Sequence, residues 1–160
     1  MPTPANHVWK PSSARLVTLD SFIPVPRGSV AVAPPPPSWP AKDPADVLDY
    51  LIDISPAILG NDSDSIATLD VSVSPSNPGD IVVQSTTTDG SRIVVWLAEG
   101  QAGTVYIVTL SLSTVSGRFL ERSVLLPVLM LSTPAIPASA IIASAGVVLT
   151  DQNGNPVLSS

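Results

Sequence analysis

The chain of 160 residues has no cysteine and one histidine, His7. Without thiols there are no disulfides and no thiolate metal sites. With one imidazole, placed far from the rest of the chain's chemistry, a Ser-His-Asp arrangement or a zinc site lacks its necessary parts. Charge is scarce too: 12% of residues are charged, about half of the roughly 25% usual for soluble domains. The seven Lys and Arg are scattered among thirteen Asp and Glu, for a net charge of −6. No run or basic face would neutralise phosphates, so no nucleic-acid partner is expected. Aromatic residues are only 4%, too few for the exposed rings of a carbohydrate-binding or adhesin module. No glycine-rich loop follows a strand and opens a helix, so a phosphate cradle is not expected.

What remains is apolar. The hydrophobic fraction is 44% and the mean hydropathy is +0.38. A lone subunit would have trouble covering that much apolar surface, and part of it is expected to lie against partners. The opening "MPTPANHVWK" has no apolar core of a secretory signal. Residues 123–150 are free of charge and long enough to span a bilayer. Pro127, Pro134 and Pro137 interrupt them, and the resulting unpaired backbone argues against a membrane span.

Three zones follow from the order of residues. Residues 1–40 hold ten of the eighteen prolines and end in "APPPPSWP", where Pro34–Pro37 suit a short polyproline II rod. Such a segment cannot build a core. A disordered tail is one reading. The apolar residues between the prolines favour another, an extended arm that inserts Trp9, Phe22 and Trp39 into a partner's pockets, with Ile23 beside them.

Residues 41–131 read as all-β. In "VLDYLIDI" Leu48, Tyr50, Ile52 and Ile54 share one face and Asp49 and Asp53 the other. "IATLDVSVSP" puts Ala67, Leu69, Val71 and Val73 inward and Thr68, Asp70 and Ser72 outward. "IVVQSTT", "RIVVWLA", "TVYIVTLSLST" and "RFLERSVLLPVLM" complete about six strands, with "DG" at 89–90 and "SG" at 116–117 as hairpin signals. "SPAILG" suits one helical turn between sheets. This is the pattern of a β-sandwich. Residues 132–160 are small, apolar and proline-marked, with a hairpin expected around Asn153-Gly154. They suit either a frayed end or a strand given to a neighbouring sheet, with Ile141, Val148, Leu149 and Val157 as contact candidates.

Candidate chemistry is thin. Asp43, Asp46, Asp49 and Asp53 cluster near the first strand. Paired carboxylates serve glycosidases, but a solvated strand face explains the cluster more simply. "GNDSDS" at 60–65 is oxygen-rich but lacks the spacing of a calcium-binding EF-hand, and reads as a turn. Trp96 reads as sandwich core. Arg92, Arg118 and Arg122 suit pairing with acidic strand faces.

The blocks "KDPADVLDYLIDIS", "DSIATLDVSVSP" and "RIVVWLAEGQAGTVYIVTLSLSTVSGRFLERSVLL" together resemble the phage fiber-tail adaptor proteins, small structural proteins of tailed-bacteriophage particles. The resemblance covers roughly residues 42–128. It rests most on Trp96, Gly103, Tyr106, Gly117, Arg118, Glu121 and Arg122, with Asp49 and Tyr50 in the opening block. It implies an immunoglobulin-like β-sandwich of six to seven strands with no enzymatic activity and no cofactor or metal. It implies a place in the virion after assembly in the host cytoplasm. The partners implied are other virion proteins, a tail adaptor or nozzle, a fibre or the capsid, with several copies in a homo-oligomeric ring. The proline-rich arm and apolar tail depart from the family's usual short ends, which keeps capsid decoration and head–tail joining open as locations. A carbohydrate-binding adhesin is the alternative from another class.

Overall fold

The computed structural model describes residues 12–21, 27–28, 32–58, 64–132, 140–142, 146 and 148–158. Among the described residues seven strands lie in two sheets. They are β1 (Leu16–Thr18), β2 (Leu48–Asp53), β3 (Ile66–Ser74), β4 (Val82–Asp89), β5 (Arg92–Ala98), β6 (Thr104–Thr114) and β7 (Phe119–Val128). One sheet has the order β1-β2-β5-β4 and the other β3-β6-β7. Lettered in chain order, these are the ABED and CFG sheets of an immunoglobulin-like sandwich. One helical turn, α1 (Ser55–Ile58), carries the chain from the first sheet to the second.

Alternation along the strands produces the core. Tyr50, Ile52, Ile93, Val95 and Leu97 face Tyr106, Val108, Leu110, Leu112, Val124, Leu126 and Val128, all at most 3% exposed. In β3, Leu69, Val71 and Val73 pack against this cluster as their spacing predicts. Ala67 is exposed instead, because a bulge between Ile66 and Thr68 shifts the register there. Trp96 is not part of the core cluster. It stands in register with Asp49, between inward-facing Val95 and Leu97, on the other face of its sheet. The period of two overrides the size of the residue.

Both hairpins have the chemistry their loops need. Asp89 pairs with Arg92, so the β4–β5 loop is Gly90-Ser91, one residue later than the "DG" signal. Gly90 has φ +60, the first-position glycine of a II′ turn. The β6–β7 loop closes with Gly117 at φ +87, its N–H donated to Thr114 O at 3.0 Å.

The tryptophan of the core comes from the proline-rich segment. Trp39 is 2% exposed, and its ring lies 4.9 Å from that of Tyr50 at an angle of 54°. Expected in a partner's pocket, Trp39 fills this chain's own sandwich, because residues 37–42 run parallel along β7. Leu125 N–H donates to Pro37 O at 2.8 Å and Trp39 N–H to Leu125 O at 2.9 Å. Lys42 N–H donates to Pro127 O and Leu129 N–H to Lys42 O, each at 2.9 Å. Earlier in the same segment, β1 pairs parallel with β2, and Val17 and Leu19 enter the core. The expected boundary at residue 41 therefore does not bound the fold. Trp9, Phe22 and Ile23 lie outside the described residues.

The corner between β5 and β6 is closed by Tyr106. Its hydroxyl donates to Asp80 Oδ1 at 2.6 Å and accepts from Gln101 N–H at 2.8 Å. A tyrosine reaching back over the turn before its own strand is a recurring device of these sandwiches. Burial and the Asp80 carboxylate push the phenol's pKa up, while the donated hydroxyl and the Asn77 N–H hold Asp80 below the usual carboxylate range. Gly100 in that corner has φ +106, and an added Cβ would lie 2.8 Å from Ile81 Cδ1 and 3.0 Å from Val128 Cγ2.

Two substitutions test this packing by urea denaturation. Trp39→Ala is expected to lose about 3–5 kcal/mol of stability; an unchanged midpoint would mean that the tryptophan is not a core residue. Gly100→Ala is expected to lose about 1–3 kcal/mol through overpacking at a positive φ.

Candidate interface

The opening block carries two buried ionic groups that position everything near the chain's exit from the sandwich. Lys42 is fully buried. Its ammonium donates to Asp43 O at 2.8 Å, Glu99 O at 2.7 Å and, at the limit, Pro44 O at 3.5 Å. Those carbonyls replace the water an ammonium requires. Burial pushes its pKa down, against the attraction of Asp46, Asp43 and Glu99. Glu99 itself has φ +61, a costly backbone for a residue with a side chain, and its carbonyl is fixed by Lys42.

Asp43 holds the start of the C-terminal segment. Its Oδ2 accepts from Leu131 N–H at 2.9 Å, Ser132 N–H at 2.8 Å and Ser132 Oγ at 2.9 Å, and its Oδ1 accepts from Ala45 N–H at 2.9 Å. These donors, Ala45 first, draw its pKa from 3.8 down to about 2. The expected solvated face of aspartates is thus corrected for two of its members. Asp43 and Asp49 are 5% and 8% exposed, and Asp49 meets Arg15 at 2.6 Å. Sequence spacing placed them on a polar face but could not show that distant segments would cover it.

The other motif residues have structural partners. Arg118 reaches Asp64 at 3.0 Å, and Asp64 also accepts from Ser116 N–H at 3.0 Å, which ties β3's approach to the β6–β7 turn. Residues 60–63 of the oxygen-rich stretch lie outside the described residues. Arg122 grips Asp20 with two bonds of 2.7 and 2.8 Å, linking β7 to the proline-rich segment. Glu121 accepts from Ser111 Oγ at 3.1 Å. Gly103 N–H donates to Val128 O at 2.8 Å. Asp49, Tyr50, Tyr106, Gly117 and Trp96 stand where described above. These residues brace the sandwich rather than converge on one reactive point. Among the described residues no three His, Cys, Asp or Glu are grouped to hold a metal, and no helix is long and apolar enough to cross a membrane.

One group of exposed apolar side chains lies at the end of the sandwich where β7 finishes. On β6, Val105 and Ile107 are 55% and 43% exposed. They stand opposite Pro127 and Leu125 of β7. Further along the same face the polar pairs Thr109–Ser123 and Ser111–Glu121 separate this patch from exposed Phe119 and Val115 at the hairpin end, and the patch itself lies at the end where β7 finishes. There the chain leaves through Leu129, Met130 and Leu131, all about half exposed. The signal was present in "TVYIVTLSLST": apolar residues occupy both parities at 105–108, then Ser and Thr take the outer positions.

Beyond Ser132 the described residues form a small unit of their own. Ile141 N–H donates to Val157 O, Leu149 N–H to Ile141 O, and Val157 N–H to Leu149 O, at 2.8–2.9 Å. Three short segments, spaced eight residues apart, thereby close a ring. The Asp151–Asn155 turn within it carries Gly154 at φ +83, as the hairpin signal predicts. Ile141, Leu149 and Val157 remain 38–45% exposed, while Val148 is half-buried.

A family model described as podophage GP4 fiber-tail adaptor protein gp77 matches residues 42–127, more than half of the chain. No curated protein matches it. The match begins at Lys42 and ends at Pro127, which are joined by a ladder hydrogen bond.

The pKa of Asp43 gives a prediction with a definite sign. Its folded value lies below the unfolded one, so the unfolded state takes up the proton first as pH falls. The stabilisation is whole above pH 3.8 and is lost as pH falls to about 2. Thermal melts of Asp43→Asn across that window are expected to show a weaker acid dependence and a lower midpoint at neutral pH. Hydrogen exchange at Leu131 and Ser132 should accelerate in the same variant.

Proposed function

The chain belongs to the podophage GP4 fiber-tail adaptor family, and from that premise we propose that it joins a fibre or spike to the phage tail through its exit end. A structural role in the virion follows from the family. The observation that supports the finer reading is the placement of exposed apolar surface. Val105, Ile107, Leu129, Met130 and Leu131 lie where the sandwich ends, and the C-terminal unit presents Ile141, Ile142, Leu149, Val157 and Leu158. Apolar area of this kind is stabilised by covering it with a partner.

In this reading the sandwich is the mount and does no chemistry. Asp43 fixes the direction in which the C-terminal segment starts, so the segment leaves every copy from the same point beside the same apolar patch. Several copies arranged around the tail would present that end repeatedly. The described part of the proline-rich segment contributes to the mount, since Val17, Leu19 and Trp39 are spent in the core.

A chain ending at Ser132 separates the two roles. It should keep the wild-type melting transition and lose incorporation into particles in a complementation assay. Ile141→Asp with Leu149→Asp should act in the same direction with less effect. Normal incorporation of the truncated chain would refute the exit end as the attachment surface.

A further inference from the structure

The two sides of the sandwich are finished differently. On one side the proline-rich segment covers both sheets: β1 lies along β2, and residues 37–42 lie along β7. On the other side β4 and β3 are the outermost strands of their sheets. Of the two, β4 is the more open. Seven of its eight residues are exposed and only Val83 is half-buried, so this strand extends past the cover of the opposite sheet. Exposed edges of this length are normally guarded by lysine, proline or an inward charge. β4, "VVQSTTTD", has one bulge between Val83 and Ser85 but no lysine, arginine or proline, and five of its eight residues are Val or Thr, which favour strands.

We propose that β4 is a self-association edge, pairing antiparallel with β4 of a second copy of this chain. An edge of free N–H and C=O groups selects an extended strand as its partner. Among the described residues, the chain's other extended segments are already engaged. β1 and residues 37–42 pair within the sandwich, Ala140, Ile142 and Thr150 bridge to Leu158, Val148 and Pro156, and Pro34–Pro37 lack the N–H groups of a ladder.

Charge points to the second copy and to β4 over β3. A molecule of net charge −6 repels itself over most of its surface. The β4 edge is locally neutral, because its one charge, Asp89, stands in register with Arg92. β3 instead carries exposed Asp70 at its centre, where two copies would bring like charges together. A two-fold axis at Thr86 pairs Thr86 with its own copy and keeps the two Asp89 side chains at opposite ends of the ladder, so that no carboxylates meet. The pair forms one continuous eight-stranded sheet with an isologous interface. This pairing stands independently of the fibre-tail reading.

The full chain should show a concentration-dependent monomer–dimer equilibrium by sedimentation velocity. Thr86→Lys with Thr88→Lys should weaken association by about tenfold or more while leaving far-UV circular dichroism and the melting midpoint unchanged. Because the chain has no cysteine, single cysteines give a second readout. Ser85→Cys or Thr86→Cys should form disulfide-linked dimers on mild oxidation, and Val115→Cys, at the exposed tip of the β6–β7 hairpin, should not. A chain that stays monomeric at every concentration would overturn the proposal. So would a dimer that survives the lysine pair, or cross-linking at residue 115 equal to that at 85 and 86.

Discussion

The fold depends on the parallel pairing of residues 37–42 with β7. Four backbone hydrogen bonds fasten this segment to the sheet. They place Trp39 against Tyr50 in the core and bring the Lys42 ammonium to the carbonyls of Asp43 and Glu99. Without that pairing the core would lack its largest side chain, and Lys42 would be a buried charge without acceptors. Two prolines stand at one point of the ladder, Pro40 in the segment and Pro127 in β7. Both lack an N–H, and both fall where the ladder is interrupted between Trp39 and Lys42.

The ionic groups extend that fastening outward. Arg15 meets Asp49, Arg122 meets Asp20, and Asp43 collects three donors from Leu131 and Ser132. Each joins segments far apart in sequence. A protein with so few charges uses a large share of them as clips between its extensions and its strands. The outcome is a sandwich with a fixed exit, and one patch of exposed apolar surface lies there.

Much of this was legible beforehand. Period-two patterns in 48–54, 66–74 and 104–114 gave the strands and most inward faces, because alternation on a pleated strand leaves little choice of side. The hairpins were visible as Gly90 and Gly117, where positive φ requires glycine. The family blocks were visible as residues now seen to brace turns, such as Tyr106 over its corner and Arg118 on Asp64. Other features were not legible. Trp96 reads as core by size, but its parity turns it to the other face of the sheet. The aspartates read as solvated because nothing local indicates that Arg15, Leu131 and Ser132 approach them.

By itself, then, the sequence determined the strand pattern, the turns, the family and the poverty of chemistry, since these are set by neighbours along the chain. The tertiary structure alone decided that the proline-rich segment belongs to the sandwich, that Lys42 and Asp43 are buried anchors, and that one side is sealed while β4 stays open. Those outcomes depend on contacts between residues tens of positions apart. Which of two apolar segments finds its cover within the chain, and which is left for another molecule, is a matter of geometry that composition and spacing do not encode.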